Sequence, residues 1–306
     1  MTASIVVEWD NARLVAESRP MRMLSALAAE LAGVSDVIEV LLVHGGSGHD
    51  AEAAAPVLRR ERPDLEVIVV DAPGTGYYEL KNVGAGRARG DLVVFLDCDI
   101  VPEPGWLREI VRPFSDESVG VVVGETHVDA STFWTRSLAL AWVFEVRTDS
   151  SEIVDVREFL ANNLAFRTSV ALAHPFPIVE GTARGSCVAL AKELAEAGIV
   201  VIANRAAKAA HPPPNGFMRA VERALVHGRD AVVLTDAGVG EFATSRGAVS
   251  RIGRIFTSAI RDRQRLGLST AAAPAAALVA LGYYGVAAGG ALFARLAPAQ
   301  ARRLRL

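Results

Sequence analysis

A chain of 306 residues that is 51% hydrophobic and 22% charged can bury one large α/β core or two small ones, which excludes a disordered or fibrous protein. Its two cysteines, Cys98 and Cys187, make no disulfide framework and fit a reducing cytoplasm. The net charge of −3 hides a division: residues 251–306 carry nine Arg against Asp262 alone, making this tail +8 and residues 1–250 −11. An acidic catalytic body with a tail drawn to an anionic surface is therefore expected.

The N-terminus, MTASIVVEWDNARL, has neither a basic start nor a long apolar run, so no signal peptide is expected. Ser4 to Val7 reads as a short strand. Arg19 to Ala32 reads as a helix, with Met23, Leu24, Leu27, Ala28 and Leu31 at helical spacing before Gly33. A strand at Val37 to Val43 runs into the loop HGGSG, a helix follows at Ala51 to Arg60, and a strand at Leu65 to Val70 precedes the turn DAPGTG. The Gly-rich helical stretch KNVGAGRARG leads into a strand at Asp91 to Leu96. Helices are predicted at Trp106 to Phe114, Trp134 to Val146 and Val188 to Ala197, and strands at Val119 to Val123, Leu164 to Phe166 and Ile199 to Ala203. This alternation predicts a mainly parallel sheet built of βαβ units with helices on both faces, whose ligands gather at the carboxyl ends of the strands.

The stretch VVFLDCDIVPEPGW places Asp97 and Asp99 at such an end. Residues i and i+2 of an extended segment share a side, so both carboxylates can face one pocket while Cys98 faces away. Two close like charges are best tolerated beside a divalent cation, and hard oxygen ligands suit Mg²⁺ or Mn²⁺. A solvated turn with two Asp is the plain alternative.

The longer stretch LKNVGAGRARGDLVVFLDCDIVPEPGWL resembles the nucleotide-sugar region of family 2 glycosyltransferases of the GT-A fold, with Lys81, Asn82, Gly84, Gly90, Asp91, Asp97 and Asp99 at the matching positions. ANNLAFRTSVALAHPFP resembles the family's acceptor-side strand, and the resemblance runs over roughly residues 3 to 235. It implies a nucleotide-sugar donor, an Asp-x-Asp motif whose Asp97 meets the ribose or the metal and whose Asp99 binds the metal, and a third metal ligand at His211. It also implies that Lys81 and Asn82 serve the nucleotide.

The sequence departs from the family in two places. The first strand ends Glu8-Trp9-Asp10-Asn11, where only Asn11 keeps the family residue, and the second ends His44-Gly45-Gly46-Ser47 instead of Asp-Asp-Gly-Ser. Glu8, Asp10 or Asp71 is left to read the nucleobase. At the place of the Glu-Asp pair that holds the general base of inverting members stand Ser186 and Cys187, so the nearest candidate base is Glu180 on the loop PIVEGTARGSC. With Glu180 as base, inversion follows. Cys187 as nucleophile is set against a small buried residue at a helix start, and Arg167 and Arg184 are candidates for a phosphate.

In the tail, Ile252, Ile255, Phe256, Ala259 and Ile260 form one helical face, with Arg251, Arg254, Arg261, Arg263 and Arg265 around the other. Leu266 to Ala294 contains no charge and can cross roughly 30 Å of hydrocarbon, although its Ala/Gly composition and Pro274 weaken that reading. The expected organisation is a GT-A domain at 1–245 and a basic, apolar helical tail at 246–306. That tail would hold the protein to the cytoplasmic face of a membrane, as a peripheral helix or a single or re-entrant segment.

The expected activity is metal-dependent transfer of a sugar to an unidentified, lipid-linked or polysaccharide acceptor. A nucleotidyltransferase is the first alternative, but VEWDNARLV lacks that class's Gly-rich loop; a nucleotide-sugar-binding scaffold with weakened catalysis is the second. Nucleic acid is not an expected partner, because the arginines accompany an apolar run and not stacking aromatics.

Overall fold

The computed structural model describes residues 1–46, 51–144, 146–239 and 248–304, with side chains from 253 onward in the last stretch. Ser47, the boundary expected at 245/246, the side chains of Arg251 and Ile252, and Arg305 lie outside the described residues. Nine strands form one sheet: β1 (Ala3–Glu8), β2 (Val37–His44), β3 (Glu66–Asp71), β4 (Leu92–Asp97), β5 (Val101–Pro102), β6 (Val119–Val128), β7 (Ile153–Asp155), β8 (Asn163–Arg167) and β9 (Val200–His211). The helices are α1 (Ser18–Leu31), α2 (Ala51–Glu61), α3 (Tyr77–Arg87), α4 (Trp106–Val111), α5 (Phe133–Ala139), α6 (Thr168–Ala173), α7 (Ser186–Glu196), α8 (Phe217–Asp236), α9 (Ala248–Arg261), α10 (Ala273–Leu296) and α11 (Pro298–Ala301). They fall into two compact units, one of Met1–Thr126, Asp149–Ile178 and Ser186–His211, the other of His127–Thr148, Val179–Gly185 and Pro212–Leu306.

In the first unit the sheet order is β3-β2-β1-β4-β8-β6-β9-β5, with β7 beside β9. The pairs β3-β2, β2-β1 and β1-β4 are parallel, as the βαβ pattern requires, and β8 then pairs antiparallel with both β4 and β6. Both faces of the parallel half are covered, which is why its strands read as continuous apolar runs. On one face Ile5, Val7, Leu92, Val94, Leu96 and Cys98 pack with Met23, Leu24, Leu27 and Leu31 of α1, Leu58 of α2 and Trp106 of α4. On the other, Val6, Val93 and Phe95 pack with Leu80 of α3 and with Leu190 and Leu194 of α7.

Several elements differ from the sequence reading: β6, expected to stop at Val123, runs on to Val128, and β5, β7 and α8 had no expected counterpart. The helix expected to reach Val146 ends at Ala139, since beyond it the aromatic and β-branched Trp142 and Val143 are poor helix formers and Trp142 packs on Tyr283, ring centres 5.6 Å apart. The strand expected to stop at Ala203 runs on to His211 through NRAAKAAH. Alanine favours a helix locally, but pairing with β5 and β7 overrides that preference.

The second unit is helical. Leu138 and Ala141, Ala220 and Ala224 of α8, Ile255 and Ala259 of α9, and Ala277, Ala280 and Tyr283 of α10 form its core. The face of α9 assigned to a bilayer is therefore turned inward at Ile255 and Ala259, while Ile260 stays exposed. Helices α8 and α10 meet through glycine: a Cβ added at Gly228 would land on the Ala287 carbonyl, and one at Gly290 on the Leu225 carbonyl.

Candidate functional site

The site starts from strand register. Parallel pairing sets Glu8 of β1 beside Asp97 of β4, just as Val6 stands beside Phe95. Both carboxylates therefore lie on the α3 face at the carboxyl end of the sheet, and both are buried. A buried carboxylate needs charge and hydrogen-bond compensation. For Asp97 it comes from Lys81, whose Nζ lies 2.5 Å from Oδ1, from the Tyr77 hydroxyl, which donates to Oδ2 at 2.7 Å, and from the Asn11 amide, which donates to Oδ2 at 3.2 Å. Lys81 is wholly buried, and its ammonium sits 4.7 Å from the Tyr77 ring centre. Its charge is engaged by Asp97.

The Ile100 amide donates to the Asp97 carbonyl at 3.0 Å, turning the chain after β4. Cys98 points into the opposite core, its thiol 3.4 Å from the Trp9 carbonyl, as the alternation of side chains predicts. The turn delivers Asp99 to the end of β9, where Asp99 Oδ2 stands 4.0 Å from Nε2 of His211; both residues are buried. His211, expected beyond the last core strand, is that strand's final residue. Arg19, not singled out by any motif, is buried at the start of α1 and donates from Nε to the Asp99 carbonyl at 2.8 Å and from Nη2 to the Ala210 carbonyl.

The ends of β1, β2 and β3 make a second polar group. Gly45 donates to Asp10 Oδ1 at 2.9 Å, Gly46 donates to His44 Nδ1 at 3.2 Å, and His44 Nδ1 lies 3.5 Å from Asp71 Oδ1. Asp71 is largely exposed there, and Asn11 is buried within reach of Asp97. Asp10 and Asp71 thus flank the loop that replaces the family's Asp-Asp-Gly-Ser.

Other motif residues build the scaffold. Asn82 donates to the Phe176 carbonyl and accepts from the Phe176 amide, both at 2.9 Å, which engages both ends of its side-chain amide. A Cβ on Gly84 would strike Val6, and one on Gly90 would strike the backbone of Ala3 and Ser4. Asp91 accepts from the Thr2 amide at 2.7 Å, which holds its carboxyl below the usual range. Arg167 pairs in register with Leu92, at the opposite end of β4 from Asp97, and donates to the carbonyls of Val119, Phe114 and Asp116. It is a structural clamp and not a phosphate ligand.

Glu180 belongs to the second unit and is exposed on the Val179–Gly185 segment. That segment is anchored by Asp230 of α8, which accepts from the amides of Ala183 and Arg184 and is ion-paired with Arg229. Burial pushes the Asp230 carboxyl up, against the pull of Arg229. The thiols offer no nucleophile. Burial pushes Cys98 far up, helped by Glu8, Asp99 and Asp97, and burial also raises Cys187, whose sulfur takes the Tyr78 hydroxyl at 3.6 Å.

Among the described residues, no three of His, Cys, Asp and Glu converge as a closed metal cage. The pair Asp99–His211 supplies one oxygen and one nitrogen ligand at a separation that two ligands of a single cation can have.

Residues 22–194 match the family described as glycosyl transferase family 2, more than half of the chain. The chain belongs to glycosyl transferase family 2. The family member hyaluronan synthase of Pasteurella multocida is 26% identical over 121 residues, which cover 37% of this chain and only 12% of that protein. Among solved structures, the mannosyltransferase PcManGT of Pyrobaculum calidifontis, in complex with GDP-Man and Mn²⁺, is similar over 97% of this chain and 81% of its own, with a TM-score of 0.54 and 19% identity. TarS of S. aureus, in complex with UDP-GlcNAc, is similar over 97% of this chain and 92% of its own, with a TM-score of 0.53 and 13% identity. These likenesses establish the GT-A fold for this family 2 chain. Asp97, Asp99 and His211 belong to the first unit, whereas Glu180 belongs to the second.

Proposed function

We propose that the protein is a metal-dependent glycosyltransferase that moves a sugar from a nucleotide diphosphate sugar to an acceptor hydroxyl. The carrying observation is the convergence of Asp99 and His211, 4.0 Å apart, next to an Asp97 locked by Lys81, Tyr77 and Asn11. Asp99 and His211 would hold Mg²⁺ or Mn²⁺, and a cation there neutralises charge on the leaving diphosphate. Asp97, held as a fixed anion, orients the donor ribose. Asp10, Asp71 or the buried Glu8 would read the nucleobase. Glu180 accepts the proton of the acceptor hydroxyl while the acceptor oxygen bonds to the anomeric carbon and the bond to the diphosphate breaks. With displacement from the face opposite the leaving group, configuration inverts.

Calorimetry of UDP-, GDP- and dTDP-sugars with Mn²⁺ or Mg²⁺ tests this. One donor is expected to bind with metal and to lose most of its affinity on Asp99→Ala; absence of binding by all three, or binding indifferent to metal and to Asp99→Ala, rejects the proposal. The burial of Ser186 and Cys187 where the family's acidic pair is expected favours a second reading, a nucleotide-sugar-binding scaffold. Glu180→Gln separates the two: on the transferase reading it binds donor normally and turns over poorly, whereas full turnover removes Glu180 as base.

We also propose that the second unit lies on the cytoplasmic face of a membrane without spanning it. Helix α10 has 24 residues, with a mean hydropathy of 1.6 over an 18-residue stretch, and Leu278, Leu292 and Leu296 are exposed along it. Its packing partner α8 carries Arg219, Glu222, Arg223, Arg229 and Asp230, which would be carried into hydrocarbon with it. Exposed Arg265, Arg295, Arg302 and Arg303 supply attraction to anionic headgroups, at about 1 kcal/mol for each that reaches the surface. The full chain is expected to sediment with phosphatidylserine vesicles at low salt, much less with phosphatidylcholine vesicles, and to come off in high salt. Equal binding to both vesicle types, or none, rejects the surface reading.

A further inference from the structure

We infer that Arg19 is a positioning residue for the metal ligands, setting the separation of Asp99 and His211. The inference rests on the metal reading above. Asp99 and His211 sit on segments joined by a short ladder, β5 with β9, registered at Val101 with Ala210 and Pro102 with Ala209 and continued where the Glu103 amide donates to the Lys208 carbonyl at 2.9 Å. Arg19 comes from a third element. Its fork takes the carbonyl of Asp99 itself and the carbonyl of Ala210, the residue before His211, across sequence separations of 80 and 191 residues.

A guanidinium is planar and always charged, so two donors of one fork hold two carbonyls at a fixed spacing, which an ammonium on a flexible stem does not do. Arg19 is buried, and its bond to the Asp99 carbonyl is buried with it. A shift of either backbone segment carries one ligand atom away from the other. Arg19 is thus to the metal what a partner behind a ligand is elsewhere: it touches no substrate and orients the groups that do.

The test is Mn²⁺ binding to the full-length protein, measured by calorimetry or by loss of the free-ion paramagnetic resonance signal. Arg19→Met is expected to weaken Mn²⁺ about 10- to 100-fold, the range seen when partners behind metal ligands are removed. Arg19→Lys keeps the charge without the fork and is expected to lose about 10-fold; it carries the test if the Met variant does not fold. In a His211→Ala background, Arg19→Met should change Mn²⁺ affinity little further, because the residue acts through that ligand. Leu27→Ala, which removes core packing from the same helix, should melt earlier and bind Mn²⁺ as the wild type does.

Wild-type affinity in both Arg19 variants overturns the inference, and so does a loss of Mn²⁺ in Leu27→Ala matching that in Arg19→Met. If the wild-type protein itself takes up no Mn²⁺, the metal reading falls, and this inference with it.

Discussion

Lys81→Met is expected to lower the unfolding free energy by about 3–5 kcal/mol, the range for removing one partner of a buried ion pair. Lys81 is 0% exposed and Asp97 3%. In the variant, the Asp97 carboxylate keeps only the neutral donors Tyr77 and Asn11 named above and faces the neighbouring Glu8 without a compensating cation. Chemical denaturation measures the loss. The double variant Lys81→Met/Asp97→Leu should recover a large part of it, since no uncompensated charge is then buried. A loss under about 1 kcal/mol in the single variant would mean that the pair does not carry the charge balance assigned to it. The consequence for the site is that Asp97 takes its cationic partner from a helix residue 16 positions earlier.

Gly228→Ala and Gly290→Ala should each destabilise the second unit by about 3 kcal/mol, the upper end of overpacking costs. In both cases the new methyl meets a backbone carbonyl of the partner helix, which cannot rotate away as a side chain would. Helices α8 and α10 would have to separate, opening the alanine contacts between them. Gly282→Ala and Gly285→Ala are the controls within α10, for an added Cβ at either meets nothing within 4 Å. There the gain in helix propensity should stabilise by up to about 1 kcal/mol. Denaturation followed by helical circular dichroism checks the contrast; equal effects at 228 and 282 would contradict the close crossing.

The parallel half of the sheet could be read in advance because its signals are local. The apolar runs Ile5 to Val7 in β1, Val40 to Val43 in β2 and Leu92 to Leu96 in β4 are unbroken, since both faces are covered, and Met23, Leu24, Leu27, Ala28 and Leu31 keep the helical spacing that turns them all to one core. The same alternation told Asp97 from Cys98. Local signals failed at NRAAKAAH, where an alanine-rich segment becomes a strand because β5 and β7 pair with it, and at α9, whose apolar stripe looks alike whether a bilayer or a neighbouring helix covers it.

By itself, then, the sequence determined the order of strands and helices, the placing of two carboxylates at the end of β4, and family membership through the motif around them. Those depend on chemical identity and short-range period. Only the tertiary structure decided that Lys81 is turned to Asp97, that Asn82 and Arg167 hold backbone, and that Arg19 bridges the turn of Asp99 to the end of β9. Such pairings join residues tens to nearly two hundred positions apart, and no local pattern records which buried donor will meet which buried acceptor. That is settled when the strands align and every buried polar group must find a partner.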